Sequence, residues 1–315
     1  MTTPLASVIV PAHDSEATLG RTLDCLRAQD AQFEYEVIVV DDGSTDHTPE
    51  IAAAAGDPVR LIRQERGGAS AARNRGYGAS RGAALAFCDA DCFPEPGWLG
   101  AGVRALEHAD LVQGHVRADP GAVLGPYDRS LWITHEVGLW ETANLFVSRE
   151  LFARVGGFED WLRSVEGRPM AEDVWFGWRA KRTGARSSFC AEALLYHAVF
   201  PGSPADYVAE RRRLRHFPEI VARMPELRQV FLYRRLFLNR RTATLDAALL
   251  GAGAALALKR SWPLVASVPY ARLVRRRAGP HGRSGARVAA VDVAADLVGA
   301  WSLLLGTVRA RSAVL

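Results

Sequence analysis

The sequence predicts an α/β protein: a Rossmann-like, mostly parallel sheet with helices on both faces, followed by a helical C-terminal region. Three observations carry this reading. Short, near-continuous apolar runs alternate with helix patterns over about the first 115 residues, as expected of strands buried on both faces of a parallel sheet. Of the 315 residues, 49% are hydrophobic and 23% charged, enough for a sizeable core and too apolar for a disordered chain. The acidic residues of this region also collect where the apolar runs stop.

Taken in order, Val8-Ile9-Val10 forms a first strand. Ser15 to Gln29 reads as a helix, with Leu19, Leu23 and Leu26 at helical spacing and Ser15 as its cap. Glu36 to Val40 is a second strand, closed by Asp41-Asp42-Gly43-Ser44. A short helix over Pro49–Ala55 leads to a third strand at Val59–Ile62. Beyond Gly67-Gly68, a small-residue helix runs through Ala71-Ala72-Arg73, and a fourth strand, Ala84–Cys88, ends in Asp89-Ala90-Asp91. Further on, the strand-like Ala193–Tyr196 delivers His197.

In open parallel sheets, ligands bind at the carboxyl ends of the strands. Three such ends here present carboxylates to one rim: the segment after Pro11, then Asp41-Asp42, then Asp89 and Asp91. Carboxylates gathered on a rim repel unless a cation or hydrogen-bond donors neutralise them. A hard divalent metal with a phosphate-bearing ligand meets that need. Each acidic segment alone reads equally well as a turn; three in register favour a site. The first strand is not followed by G-x-G-x-x-G, and no G-x-x-x-x-G-K-[ST] occurs, which disfavours a dinucleotide fingerprint and excludes a P-loop.

The four cysteines, Cys25, Cys88, Cys92 and Cys190, contain no C-x-x-C pair. That argues against a zinc ribbon or disulfide scaffold and for a reducing compartment. The apolar run Ala6–Val10 is too short for a signal-peptide core, so a cytoplasmic location is expected.

Several ordered motifs between Ser7 and His197 resemble a bacterial-type family-2 glycosyltransferase with the GT-A fold. Ser7-Val8-Ile9-Val10-Pro11 with Glu16 is similar to the family's opening strand and donor-base loop. Val39-Val40-Asp41-Asp42-Gly43-Ser44 is similar to its second motif, Gly68 to Gly76 to its third, and Asp89-Ala90-Asp91 to its metal-binding D-x-D. Ala143-Asn144-Leu145-Phe146 and Gly156-Gly157-Phe158 resemble its acceptor-side segment, and Glu172-Asp173 followed by Trp178-Arg179 its catalytic helix. Two features depart from the pattern. His13 and Asp14 stand where the family commonly has Tyr and Asn, so stacking on the donor base is expected to differ. The Q-x-x-R-W signature of processive synthases is missing, which implies a non-processive enzyme.

The resemblance implies a GT-A catalytic domain over residues 1–200, with a nucleotide-sugar half to about residue 117 and an acceptor half over about 118–200. It implies an inverting, metal-dependent glycosyltransferase of hexosyltransferase type. The donor would be a nucleotide-diphosphate sugar, and the acceptor a hydroxyl of a glycan or lipid-linked molecule. Pro11, Ala12, His13, Glu16, Asp42, Arg73, Asp89, Ala90 and Asp91 would meet the donor. Asp91 and His197 would hold Mn²⁺ or Mg²⁺. Asp173 would be the base, with Asn144 and Glu172 on the acceptor side. Two other classes stay open: a nucleotidyltransferase, which also needs acidic metal ligands, and a non-catalytic sugar-nucleotide-binding membrane scaffold.

Residues 201–315 form a basic tail, with 20 Lys and Arg against 7 Asp and Glu, or +13. The first 200 residues carry the remaining 19 basic and 28 acidic groups, or −9. Within the tail, Ala247–Leu258 and Val288–Val308 are apolar, and the second contains Asp292 and Asp296, costly at a bilayer centre. Basic flanks beside apolar helices predict peripheral binding to the anionic inner face of the plasma membrane. Packing on the catalytic domain or dimerisation is the alternative. The Arg runs lack aromatic interleaving and a known motif, so no nucleic-acid partner is expected.

Overall fold

The computed structural model describes residues 3–163 and 169–315. The chain forms two compact units, one running to Val123 and resuming over Arg129–Phe200, the other comprising Leu124–Asp128 and Pro201–Leu315.

The first unit is built on β1 (Ala6–Ala12), β2 (Tyr35–Asp42), β3 (Val59–Gln64), β4 (Ala84–Cys88), β5 (Cys92–Pro94), β6 (Leu111–Ala118) and β7 (Asn144–Ser148). A small ribbon of β8 (Leu162–Arg163) and β9 (Pro169–Met170) precedes the long β10 (Ser187–His197). The main sheet has the order β3-β2-β1-β4-β7-β6-β10-β5. It is parallel from β3 to β4 and between β6 and β10. It is antiparallel where β7 and β5 join. The sequence predicts this mostly parallel α/β sheet.

Among the described residues, the helices that cover the sheet are α1 (Leu19–Arg27), α2 (Thr48–Ala54), α3 (Ala69–Ala79), α4 (Trp98–Ala105), α5 (Arg149–Val155) and α6 (Glu172–Arg182). Strand side chains alternate between faces, and both faces of β1 are covered. Val8 and Val10 pack with Leu19, Leu23 and Leu26 of α1, whereas Ile9 joins Phe87, Phe152 and Phe176 under α5 and α6. All three β1 residues are fully buried, which explains the unbroken apolar run.

Two local readings are corrected. The first helix starts at Leu19 rather than Ser15, and Thr18 precedes it without a side-chain cap. Ser15 and Glu16 instead form a turn, their backbone N–H groups donating to Thr48 Oγ1 (2.7 Å) and Asp46 Oδ2 (3.0 Å). The second strand runs on through Asp41 and Asp42, because its pairing with β1 continues to Ala12 opposite Asp41.

The second unit is helical: α7 (Pro204–Glu210), a 3₁₀ segment (Arg211–His216), α8 (Phe217–Arg223), α9 (Leu227–Val230), α10 (Arg240–Leu258), α11 (Val268–Ala278) and α12 (Gly285–Ala310). Helix α10 begins seven residues before its apolar stretch because Asn239 and Thr242 form a capping box there. An ion-pair network runs through the unit. Asp292, fully buried, lies 3.0 Å from Arg277 and 3.3 Å from Arg241, and Asp296 lies 2.7 Å from Arg241. Tyr270 Oη donates to Asp296 at 2.7 Å.

Candidate active site

The carboxyl ends of β1, β2 and β4 and the start of α3 enclose a cleft. Pro11, Ala12, His13, Ser15, Asp42, Ala69, Ala72, Arg73, Asp89, Ala90 and Asp91 line it. Eight of the nine residues predicted to meet a donor are therefore together. Glu16 is not among them; it is turned to His47, accepting from the His47 backbone N–H (3.1 Å) and lying 2.9 Å from Nδ1.

Each wall has an identifiable origin. Asp42 is almost fully buried at the end of β2, and its carboxylate accepts from Gln64 Nε2 (2.7 Å) and from the N–H groups of Gly67 and Gly68 (2.8 Å each). Those donors satisfy the buried charge and hold the loop entering α3, where Gly68 adopts φ +91°, a conformation suited to glycine. His13 stands over the same strand end, with Nδ1 3.1 Å from the Asp42 carbonyl. Ala90 is fixed from below, its carbonyl accepting from Thr22 Oγ1 at 2.9 Å.

Arg73 sits on α3 and is only 5% exposed. One guanidinium nitrogen donates to Asp89 at 2.8 Å and another to Glu172 at 3.3 Å. Burial opposes its charge, but the two carboxylates outweigh that and hold it protonated. Its Nε has no partner among the described residues. Arg73 therefore ties the Asp-Ala-Asp loop after β4 to the first turn of α6, two segments 83 positions apart from Asp89 to Glu172.

Asp91, Cys92 and His197 bring one ligand atom each within 4.8 Å of one another. Burial raises the Asp91 carboxyl above its usual range, with repulsion from Asp89 adding to it and His197 opposing. His197 Nδ1 lies 2.7 Å from the Ala198 carbonyl. A carbonyl only accepts, so Nδ1 carries a proton, and in the neutral ring the Nε2 lone pair is left facing Asp91 Oδ2 at 3.6 Å. Two acceptors facing one another need a cation between them, or a second proton on the ring. Burial pushes the Cys92 thiol well up from its ordinary value. The carboxylate and imidazole are a donor set suited to a divalent transition ion.

At α6, Asp173 Oδ1 accepts from the Val174 N–H at 2.8 Å. Burial lifts the Asp173 carboxyl well above the ordinary range, with repulsion from Glu172 and Glu141 adding to the effect. Glu141 is lifted too, by burial. It was not singled out from the sequence, although it stands three residues before Asn144 in a Trp-Glu-Thr-Ala-Asn run. Its neighbour Trp140 is buried at φ +58°, with Nε1 unpartnered among the described residues.

Asn144 is not among the residues that line the cleft. It is fully buried at the start of β7, accepts from Trp98 Nε1 (2.8 Å), and donates to the carbonyls of His115 (2.9 Å) and Ala193 (2.8 Å). Its amide stitches β6, β10 and α4 together, with both N–H groups spent on backbone carbonyls.

The family model described as Glycosyl transferase family 2 matches residues 7–158. A curated relative, glycosyltransferase AglE from Haloferax volcanii, is 34% identical over 215 residues, 64% of this chain and 69% of that protein. The uncharacterized glycosyltransferase EpsJ of Bacillus subtilis is 40% identical over 221 residues, 64% of this chain and 62% of its own length. Among solved structures, mannosyltransferase PcManGT from Pyrobaculum calidifontis, in complex with GDP-Man and Mn²⁺, aligns with TM-score 0.56 at 21% identity, over 99% of this chain and 88% of that one. S. aureus TarS 1-349 in complex with UDP aligns with TM-score 0.52 at 19% identity, over 96% and 91%. At these identities the structural likeness concerns the fold.

Proposed function

The chain belongs to glycosyltransferase family 2, and from that premise we propose that it is an inverting, metal-dependent enzyme moving a sugar from a nucleotide-diphosphate donor to a hydroxyl acceptor. The acceptor is a glycan or lipid-linked molecule, and the enzyme works in the cytoplasm, peripherally on the inner face of the plasma membrane. The observation that carries the reading is the Arg73 bridge, which joins a cleft suited to a nucleotide to the carboxylates of α6. The GDP-Man and Mn²⁺ in one structural neighbour and the UDP in another support the donor class.

In this reading the donor base lies between His13 and the loop that Asp42 holds, with the ribose toward Asp89. Asp91 and His197 would hold Mn²⁺ or Mg²⁺, which, when bound, offsets the charge growing on the diphosphate leaving group. Arg73 keeps a fixed positive charge beside Asp89, so the carboxylates do not repel an incoming phosphate. Asp173 accepts the acceptor's proton: the hydroxyl oxygen bonds to the anomeric carbon, the bond from that carbon to the diphosphate oxygen breaks, and nucleoside diphosphate leaves. Attack from the face opposite the leaving group inverts the anomeric centre. A carboxylate with a raised pKa suits this role, since general bases work best near the operating pH.

Product analysis over UDP-, GDP- and dTDP-sugars, with Mn²⁺ or Mg²⁺, tests the reading. Free nucleoside diphosphate and an inverted linkage are expected. Release of pyrophosphate would make the enzyme a nucleotidyltransferase, and binding without turnover would make it a scaffold.

A further inference from the structure

We infer that the outer face of α12, together with Arg212 and Arg215, is a lipid-docking face that lies in the plane of an anionic bilayer. The inference rests on the peripheral-membrane reading above and names the surface responsible.

Helix α12 is apolar on the wrong side for a soluble helix. Leu297, Trp301, Leu304, Leu305 and Val308 recur at steps of three and four residues, so they share one stripe. They are 44%, 61%, 45%, 48% and 72% exposed. The opposite side, which is buried, carries Asp292, Ala295, Gly299, Ser302, Leu303 and Gly306. Beside Val288 and Leu303, the inward side carries small or ionised residues, while most of the large apolar side chains of the last three turns face outward. A contiguous exposed apolar stripe of this kind marks a contact surface.

Basic groups border the stripe. The 3₁₀ segment Arg211–His216 packs closely on α12, because Gly306 leaves room for the Arg215 carbonyl where any Cβ would collide. Arg212 and Arg215 consequently line one groove with Leu297, Trp301 and Leu305. Neither guanidinium has a carboxylate partner among the described residues. The groove continues past Arg215 and Leu305 to Arg309, with Glu219 as the one acidic group there. Apolar side chains rimmed by unpaired arginines complement a lipid whose tail is apolar and whose phosphate is anionic. Trp301 adds a ring of the kind that settles at the headgroup level.

The geometry also decides between lying on a bilayer and crossing it. The helical stretch Trp262–Ala310 is long and apolar enough to span, with a window of mean hydropathy 1.8. Yet α12 is pinned by Asp292 to Arg277 and Arg241, and by Asp296 to Arg241. A span would carry this ionised network into hydrocarbon, which is costly. An in-plane helix buries only its outer stripe and leaves the network inside the protein.

The test uses full-length protein and vesicles of equal phosphatidylglycerol and phosphatidylcholine, with pure phosphatidylcholine as the uncharged comparison. Trp301→Ser with Leu305→Ser changes exposed side chains; Arg212→Ala with Arg215→Ala removes one exposed guanidinium and one half-buried one whose Nε donates to the Arg212 carbonyl at 3.1 Å. Thermal melts and donor hydrolysis verify that each variant is folded. Each pair is expected to weaken co-sedimentation with the anionic vesicles by about tenfold or more, the arginine pair acting only on the anionic ones. Alkaline carbonate is expected to strip bound protein from the vesicles. If the parent binds anionic vesicles and both variants bind as well as it does, the face is wrong while the peripheral reading survives. A parent protein that stays in the supernatant at low salt overturns both. Resistance to carbonate makes α12 a span. Self-association that disappears in Trp301→Ser/Leu305→Ser, with vesicle binding unchanged, makes the occupant a second copy of the chain.

Discussion

Asp91 is where the metal requirement is most directly tested. It faces His197 Nε2 at 3.6 Å without a proton assured between them, and the Asp89 carboxylate repels it. Asp91→Asn removes the anionic ligand but keeps the shape, so Mn²⁺-dependent binding of UDP or GDP is expected to be lost while the melting temperature holds or rises. Calorimetry giving an unchanged affinity insensitive to EDTA would reject a metal at Asp91. The same residue shows how legible the site was. Asp42, Arg73, Asp89 and Asp91 could be picked out because strand ends and short motifs place them, and the fold brings them to one cleft. Glu16 and Asn144 carry the right motif positions, but one is turned to His47 and the other spends its amide on the sheet. No spacing rule reveals which hydrogen bonds a side chain has already made. Glu141 was invisible for the related reason that its effect on Asp173 depends on burial.

At the level of elements, β1 to β4 were readable because both faces are covered and the apolar runs are unbroken. The first helix begins four residues later than its apolar spacing suggests, because Ser15 looks like a cap but is held in a turn by Thr48 at the start of α2. In the proposed mechanism α6 is the element that carries the base. It starts at Glu172, so Glu172 and Asp173 occupy its first turn, where a helix favours negative charge. Burial and the neighbouring carboxylates nevertheless win, and Asp173 is lifted well above its ordinary range. The base must be ionised, so kcat is expected to fall as pH is lowered, with a midpoint above the ordinary aspartate value of about 3.9. A midpoint at that ordinary value would remove Asp173 from the role. Asp173→Asn should cost about 10²–10⁴-fold in turnover with donor affinity nearly kept. A group whose folded pKa is raised loses stability as pH climbs from its unfolded to its folded pKa. At neutral pH the same variant is therefore expected to melt higher than the parent, a gain that a merely structural carboxylate would not show. Near-parental turnover would move the base to Glu172 or Glu141.

For the whole molecule, the uneven charge of the chain corresponds to two units with separate cores and different means of support. The first is held by aliphatic and aromatic packing on both faces of a sheet. The second packs Met224, Leu227, Leu245 and Leu303 in its interior and also buries the charge of Asp292, which faces Arg277 and Arg241 with no exposure of its own. Breaking a buried pair leaves its partners uncompensated and costs about 3–5 kcal/mol. Arg277 is 38% exposed at its side chain and can turn to water, so the lower end applies. Asp292→Ala is accordingly expected to destabilise the helical unit by about 3 kcal/mol, seen as an early loss of far-ultraviolet helical signal in urea. Every residue lining the donor cleft belongs to the other unit. Calorimetric affinity for UDP or GDP should therefore persist at urea concentrations where that helical signal has gone, while vesicle binding is lost with it. A single transition abolishing nucleotide and vesicle binding together would show that the two cores unfold as one, and an unchanged urea midpoint would show that Asp292 does not hold the helical unit together.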